Sequence, residues 1–91
     1  MSDLTKEQKE IFCITQEECA EVTQAISKIF RFGIDGYHAS RTNIERLEEE
    51  TGDLLAMIDI MMDKGIVNRD NVRIALEAKK EKLKTWSSIK L

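Results

Sequence analysis

From Thr5 to Phe30 the chain runs without a glycine or a proline, and no proline occurs anywhere in its 91 residues. Nothing there interrupts a helix, and Ile11, Ile14, Val22, Ala25 and Ile29 fall on one helical face. The stripe is continuous only when Glu18 is counted within it. At about 100° of rotation per residue, Glu18 lies at the stripe's centre and Glu21 near its edge, with Glu17 about a quarter-turn off on the side of Glu21. Hydrocarbon belongs at such a place, so a carboxylate there needs a reason. Thr5 is positioned to cap this helix, with Lys6 and Glu7 opening it.

The pattern breaks between Arg31 and Arg41, where Gly33 and Gly36 supply the backbone freedom of a connection, and a loop is predicted. His38 is the single histidine, without the partners a zinc site wants, and is assigned surface or loop packing. Tyr37 is open between packing on the loop and stacking on a base. Thr42-Asn43-Ile44-Glu45 has the form of a capping box and begins a second helix that runs to about Lys64. Leu47, Leu54, Met57, Ile58 and Met61 form its apolar stripe, with Glu50 at the centre and Asp53 toward one edge. Gly52 in mid-helix costs about 1 kcal/mol relative to Ala, which predicts a close approach by a facing helix or a ligand. Gly65 ends the helix, with Lys64 favourably placed for the helix dipole.

Asn68 or Asp70 caps a third helix in which Val72, Ala75, Leu76, Leu83 and Trp86 share a face, so Trp86 reads as core. Lys79 shares that face, either snorkelling past its neighbours into water or meeting a ligand's phosphates. The surrounding Lys80, Lys82 and Lys84 read as a solvated face, and Ser87 to Leu91 as a short tail.

With 42% apolar and 34% charged residues and few aromatics, the composition favours helices over a strand-rich sandwich. The expectation is an all-α fold, a single domain over residues 1–91, small enough that oligomerisation would help bury its apolar surface. A net charge of -3 with no basic cluster argues against a nucleic-acid groove. The first residues lack the apolar core of a signal peptide, and no apolar run reaches the roughly 20 residues of a membrane span, so a cytoplasmic protein without a membrane role is expected. Cys13 and Cys19 point to different faces of one helix and are expected to be reduced, as small buried or half-buried residues.

If the first two helices pack antiparallel, Glu18, Glu21, Glu50 and Asp53 converge. Four carboxylates in an apolar seam raise one another's pKa and cost several kcal/mol each if unpaired, so something cationic belongs among them. Oxygen ligands without His or Cys suit Mg²⁺ or Mn²⁺, which a phosphate-bearing substrate can share. No histidine follows three residues after a glutamate, which sets aside a ferritin-like di-iron site.

Glu17-Glu18-Cys19-Ala20-Glu21 followed by Glu50-Thr51-Gly52-Asp53 resembles the signature of the MazG-like all-α nucleoside triphosphate pyrophosphohydrolases, Glu-Glu-x-x-Glu, a spacer, then Glu-x-x-Asp. Arg31-Phe32-Gly33, Asn43 through Leu55 and the Lys-rich last helix ending at Trp86 are also similar to compact phage and bacterial members. The resemblance implies a helical bundle with the carboxylate site between two long helices, completed by oligomerisation into dimers or tetramers. It implies Mg²⁺-dependent hydrolysis of a (deoxy)nucleoside triphosphate between the α and β phosphates, giving a monophosphate and pyrophosphate and controlling a nucleotide pool. Carried over residue by residue, Glu18, Glu21, Glu50 and Asp53 are metal ligands, and Glu17 serves a further metal or the attacking water. By position alone, Lys79, Lys82 and Arg41 are candidates for a phosphate clamp. The competing expectations are a non-catalytic helical interaction module with an acidic ridge, and an enzyme acting on another phosphoanhydride or a nucleoside diphosphate.

Overall fold

The structure is a computed structural model in which residues 3–38 and 40–91 are described, without the side chain of His38; the surface or loop-packing role expected of that side chain therefore lies outside the described residues. Three helices carry the fold: α1 (Lys6–Phe32), α2 (Asn43–Asp63) and α3 (Arg69–Trp86). Local chemistry explains where each begins. Thr5 caps α1 in a full capping box with Gln8, Thr42 does the same for α2 with Glu45, and the Asn68 side chain accepts from the Asn71 amide at the start of α3. Gly65, at φ 69°, ends α2 in a Schellman motif, its amide donating to Met62 O and that of Ile66 to Met61 O.

α1 and α2 form an antiparallel hairpin. Asn43 bonds across to Lys28 O near one end, and Lys64 pairs with Glu7 at 3.3 Å at the other. The expected stripes face each other: Ile11, Ala25 and Met57 are buried, and Ile14, Val22, Ile29, Leu47, Leu54, Ile58 and Met61 are half-buried between them. The connection is more ordered than a plain loop. Two-residue strands β1 (Tyr37–His38) and β2 (Arg41–Thr42) pair antiparallel, Tyr37 opposite Thr42 and His38 opposite Arg41.

Asn43, 3% exposed, locks this end. Its amide nitrogen donates to Gly33 O at 2.9 Å and Lys28 O at 3.4 Å, and its backbone N–H donates to Gly36 O at 2.8 Å. Gly36 has no room for a side chain, since a Cβ would sit 2.6 Å from Phe32 O and 2.9 Å from Asn43 Nδ2. Asn43 thus adds a donor from the next helix to carbonyls at the C-terminal end of α1, tying the two helices together.

Three expectations fail within the single chain. Trp86 is 82% exposed, because α3 buries none of its residues and its apolar face meets no facing helix. Gly52 is approached by nothing, with no atom within 4 Å of an added Cβ, because it lies on the outer side of α2. Cys13 and Cys19 are free, as expected, but exposed, because both fall off the buried stripe. The chain presents 7325 Å² to solvent, where a compact monomer of its mass exposes about 5,400 Å². Its radius of gyration is 16.2 Å against about 12 Å for a compact chain of this length. Both departures have one cause, a third helix that does not fold back on the hairpin.

Candidate metal centre

Midway along the hairpin, Glu18 of α1 meets Glu50 and Asp53 of α2. The three offer carboxylate oxygens that all lie within 4.8 Å of one another. The helical period brings them together. Glu18 replaces a hydrocarbon in its stripe and Glu50 does so in the facing one, while Asp53, one turn after Glu50, enters from the edge. Glu50 is 9% exposed, Glu18 half-buried and Asp53 exposed, so the group opens to solvent on the Asp53 side.

Among the described residues nothing neutralises them: no Lys or Arg pairs with Glu18, Glu50 or Asp53, and Glu18 Oε2 is buried without a hydrogen-bond partner. Burial pushes the Glu18 carboxyl above its ordinary value, and the charges of Asp53, Glu50, Glu21 and Glu17 add to the rise in that order. A buried acceptor with no donor, facing two further carboxylates, is the environment a hard cation with oxygen ligands relieves.

The other expected residues are placed less tightly. Glu21 is half-buried one turn beyond Glu18 and outside the close trio, though its charge bears on Glu18. Glu17 is exposed beside the group. The expected convergence of four carboxylates is therefore a trio with Glu21 alongside, because Glu21 sits at the edge of the α1 stripe.

The positional candidates for a phosphate clamp are not drawn in. Arg41 is paired with Glu49 near the start of α2. Lys79 and Lys82 are exposed on α3, the helix without a buried residue, and neither pairs with an acid among the described residues. At the loop end of the hairpin Lys28 and Arg31, with Phe32, Tyr37 and Asn43, line a cleft of about 410 Å³. Sequence reasoning passed over Lys28; its place seven residues after Glu21, on the same helix face, was the available signal. A second, more apolar cleft of about 540 Å³ lies toward the other end, between Ile11, Ile14, Met57 and Ile60.

No family model, no curated protein and no solved structure matches the chain. No helix among the described residues is long and apolar enough to cross a membrane.

Proposed function

We propose that the protein is a Mg²⁺-dependent nucleotide pyrophosphohydrolase of the MazG-like type, acting on (deoxy)nucleoside triphosphates between the α and β phosphates. The observation that carries this reading is the Glu18, Glu50 and Asp53 trio, with its buried, partnerless Glu18 oxygen, formed by residues of the two motifs that resemble that family. The all-oxygen donor set suits Mg²⁺, with Mn²⁺ as a substitute, and such an ion supplies Lewis-acid polarisation of phosphoryl oxygens and a water of lowered pKa.

The chain's own residues divide the remaining work. Glu18 and Glu50 are held by packed helices and keep their orientation without a ligand, while Asp53 stands at the open side, where a phosphate chain can arrive. Glu21 extends the donor set along α1. Glu17, exposed next to Glu18, is positioned to take a proton from an attacking water on the solvent side, the role of a general base. Apolar neighbours in the seam shield the inner side of the trio, around Glu50, while the Asp53 side stays open to solvent.

The reading includes a homo-oligomer. The surplus of exposed surface, about 1,900 Å² over a compact monomer, is more than twice what a standard interface of about 800 Å² per partner consumes, and the uncovered face of α3, with Leu76 48% and Trp86 82% exposed, is the surface a second copy would cover.

Pyrophosphate release from a panel of canonical and modified triphosphates, with and without Mg²⁺, tests the proposal beside Glu50→Gln and Asp53→Asn. Metal-dependent release that both substitutions abolish is the expected result. A folded wild-type protein that leaves every triphosphate and diphosphate intact would instead assign the carboxylates to a non-catalytic acidic surface.

A further inference from the structure

We infer that the cleft between Lys28, Arg31, Phe32, Tyr37 and Asn43 receives the aromatic base of the nucleotide, an inference that rests on the proposed function for its account of where the phosphates lie. The cleft shares the α1–α2 seam with the carboxylate trio. Asn43 precedes Glu50 by seven residues, and Lys28 and Phe32 follow Glu18 by ten and fourteen, which places the near side of the cleft about 10–15 Å and its far side about 20 Å along the helices from the trio. A nucleotide whose α phosphate meets the trio extends its base toward the near side of the cleft, where Lys28 and Asn43 lie. Side chains of α1 lean in general toward its N-terminus, the direction of the trio, and Lys28 is the cation of the cleft nearest to it along the helix.

The lining suits a flat aromatic ligand. Phe32 and Tyr37 are 62% and 75% exposed, leaving ring faces uncovered. The Arg31 guanidinium lies over the Phe32 ring, 4.9 Å from its centroid, which makes a stacked platform of the kind that bases adopt on aromatic and guanidinium planes. Lys28 and Arg31 pair with no carboxylate among the described residues, and no acid lines the cleft, so its free donors face a ligand rich in acceptors. Asn43 is held in the cleft by its bonds to Gly33 O and Lys28 O, and Gly36 packs closely enough beside it that no side chain would fit between them. Such rigidity lowers the entropic cost of ordering a ligand.

Tyr37 is the one tyrosine of the chain, so its ring resonances in a tyrosine-labelled sample need no assignment. Titrating the full chain with each nucleoside monophosphate, and separately with inorganic tripolyphosphate, reads the cleft without requiring turnover. The expected result is a saturable shift of the Tyr37 ring with nucleotides and none with tripolyphosphate. A ring that no nucleotide moves, or that tripolyphosphate moves equally, overturns the inference, the second outcome making the cleft a phosphate site. Kinetics give a second reading on the exposed Phe32. Phe32→Ala is expected to raise KM for triphosphates about tenfold, the scale of one lost base stack, with kcat little changed and inhibition by tripolyphosphate unaltered. Equal loss toward nucleotides and tripolyphosphate, or an unchanged KM, overturns it as well. If Tyr37 responds to nucleotides but no triphosphate is cleaved, the hydrolase reading fails and the cleft stands. If triphosphates are cleaved while Tyr37 stays silent, the cleft alone fails.

Discussion

Glu45 and Glu18 lie along the same helical hairpin and are treated in opposite ways. Glu45, near the loop end, accepts from Thr42 N at 2.9 Å and Thr42 Oγ1 at 2.8 Å, and these bonds hold its carboxyl below the ordinary value, with Arg41 nearby adding a little. Glu18, in mid-seam, is pushed up by burial and by four neighbouring acids, with one oxygen that receives nothing. The loop end satisfies its polar groups from within the chain, through the Thr42 box and the three bonds of Asn43. Polar residues of that kind are explained by folding. Those in mid-seam cost stability as the chain stands, and the proposed cation site is what would account for them.

Substitutions along the hairpin can break or sharpen this contrast. The largest effect is expected from Glu50→Gln, which relieves like-charge repulsion in mid-seam. It should raise the melting temperature of metal-free protein while lowering kcat/KM at least about a hundredfold, since even residues that only support metal ligands cost 10–100-fold when changed. A destabilised Glu50→Gln would show that Glu50 is satisfied after all. Next is Asn43→Ala at the loop end, expected to cost about 2 kcal/mol in urea unfolding because the buried side-chain bonds that tie α2 to the end of α1 are lost. Gly52→Ala should stabilise the hairpin by up to about 1 kcal/mol, since no atom of the chain occupies the space its Cβ would fill. Loss of activity in that stabilised variant would reveal a ligand or a second copy against Gly52.

Smaller still are the effects of cap and pH. Thr42→Ala should cost about 1 kcal/mol near neutral pH as the capping box is lost. The two carboxylates then separate by sign. With a lowered pKa, Glu45 contributes stability that is present above its ordinary 4.5 and lost as the pH falls through its folded value. With a raised pKa, Glu18 contributes stability that is present below its ordinary 4.5 and lost as the pH rises through its folded value. Thermal melts across this range should show Thr42→Ala flattening the acid-side loss and Glu18→Gln flattening the decline above 4.5. Mg²⁺ should restore wild-type stability on the upper side and leave Glu18→Gln less affected.

The sequence shows most clearly what is decided locally. Thr5, Thr42, Asn68 and Gly65 mark helix ends because each acts on amides or carbonyls within a turn of itself. The meeting of Glu18 with Glu50 and Asp53 was legible too, since two stripes with carboxylates at their centres have one antiparallel register that buries both. Asn43 as the lock was not, because its partners lie ten and fifteen residues back and no periodicity announces a side chain reaching that far. The two-residue ladder of Tyr37–His38 with Arg41–Thr42 is too short to carry an alternation. Trp86 was misplaced for a different reason. An apolar stripe says that a face will be covered, and does not say that the cover comes from the same molecule.

That property of α3 has a thermodynamic consequence. At 18 residues it is only slightly longer than the length at which isolated helices are marginal in water, and it owes none of its order to burial by the hairpin. On the proposed homo-oligomer, its amide exchange should be fast in dilute protein and slow as the concentration rises, while the α1–α2 seam exchanges at a rate indifferent to dilution. Protection of Val72 to Leu83 is then a molecular gauge of association, read residue by residue in a chain whose other helices keep a constant baseline.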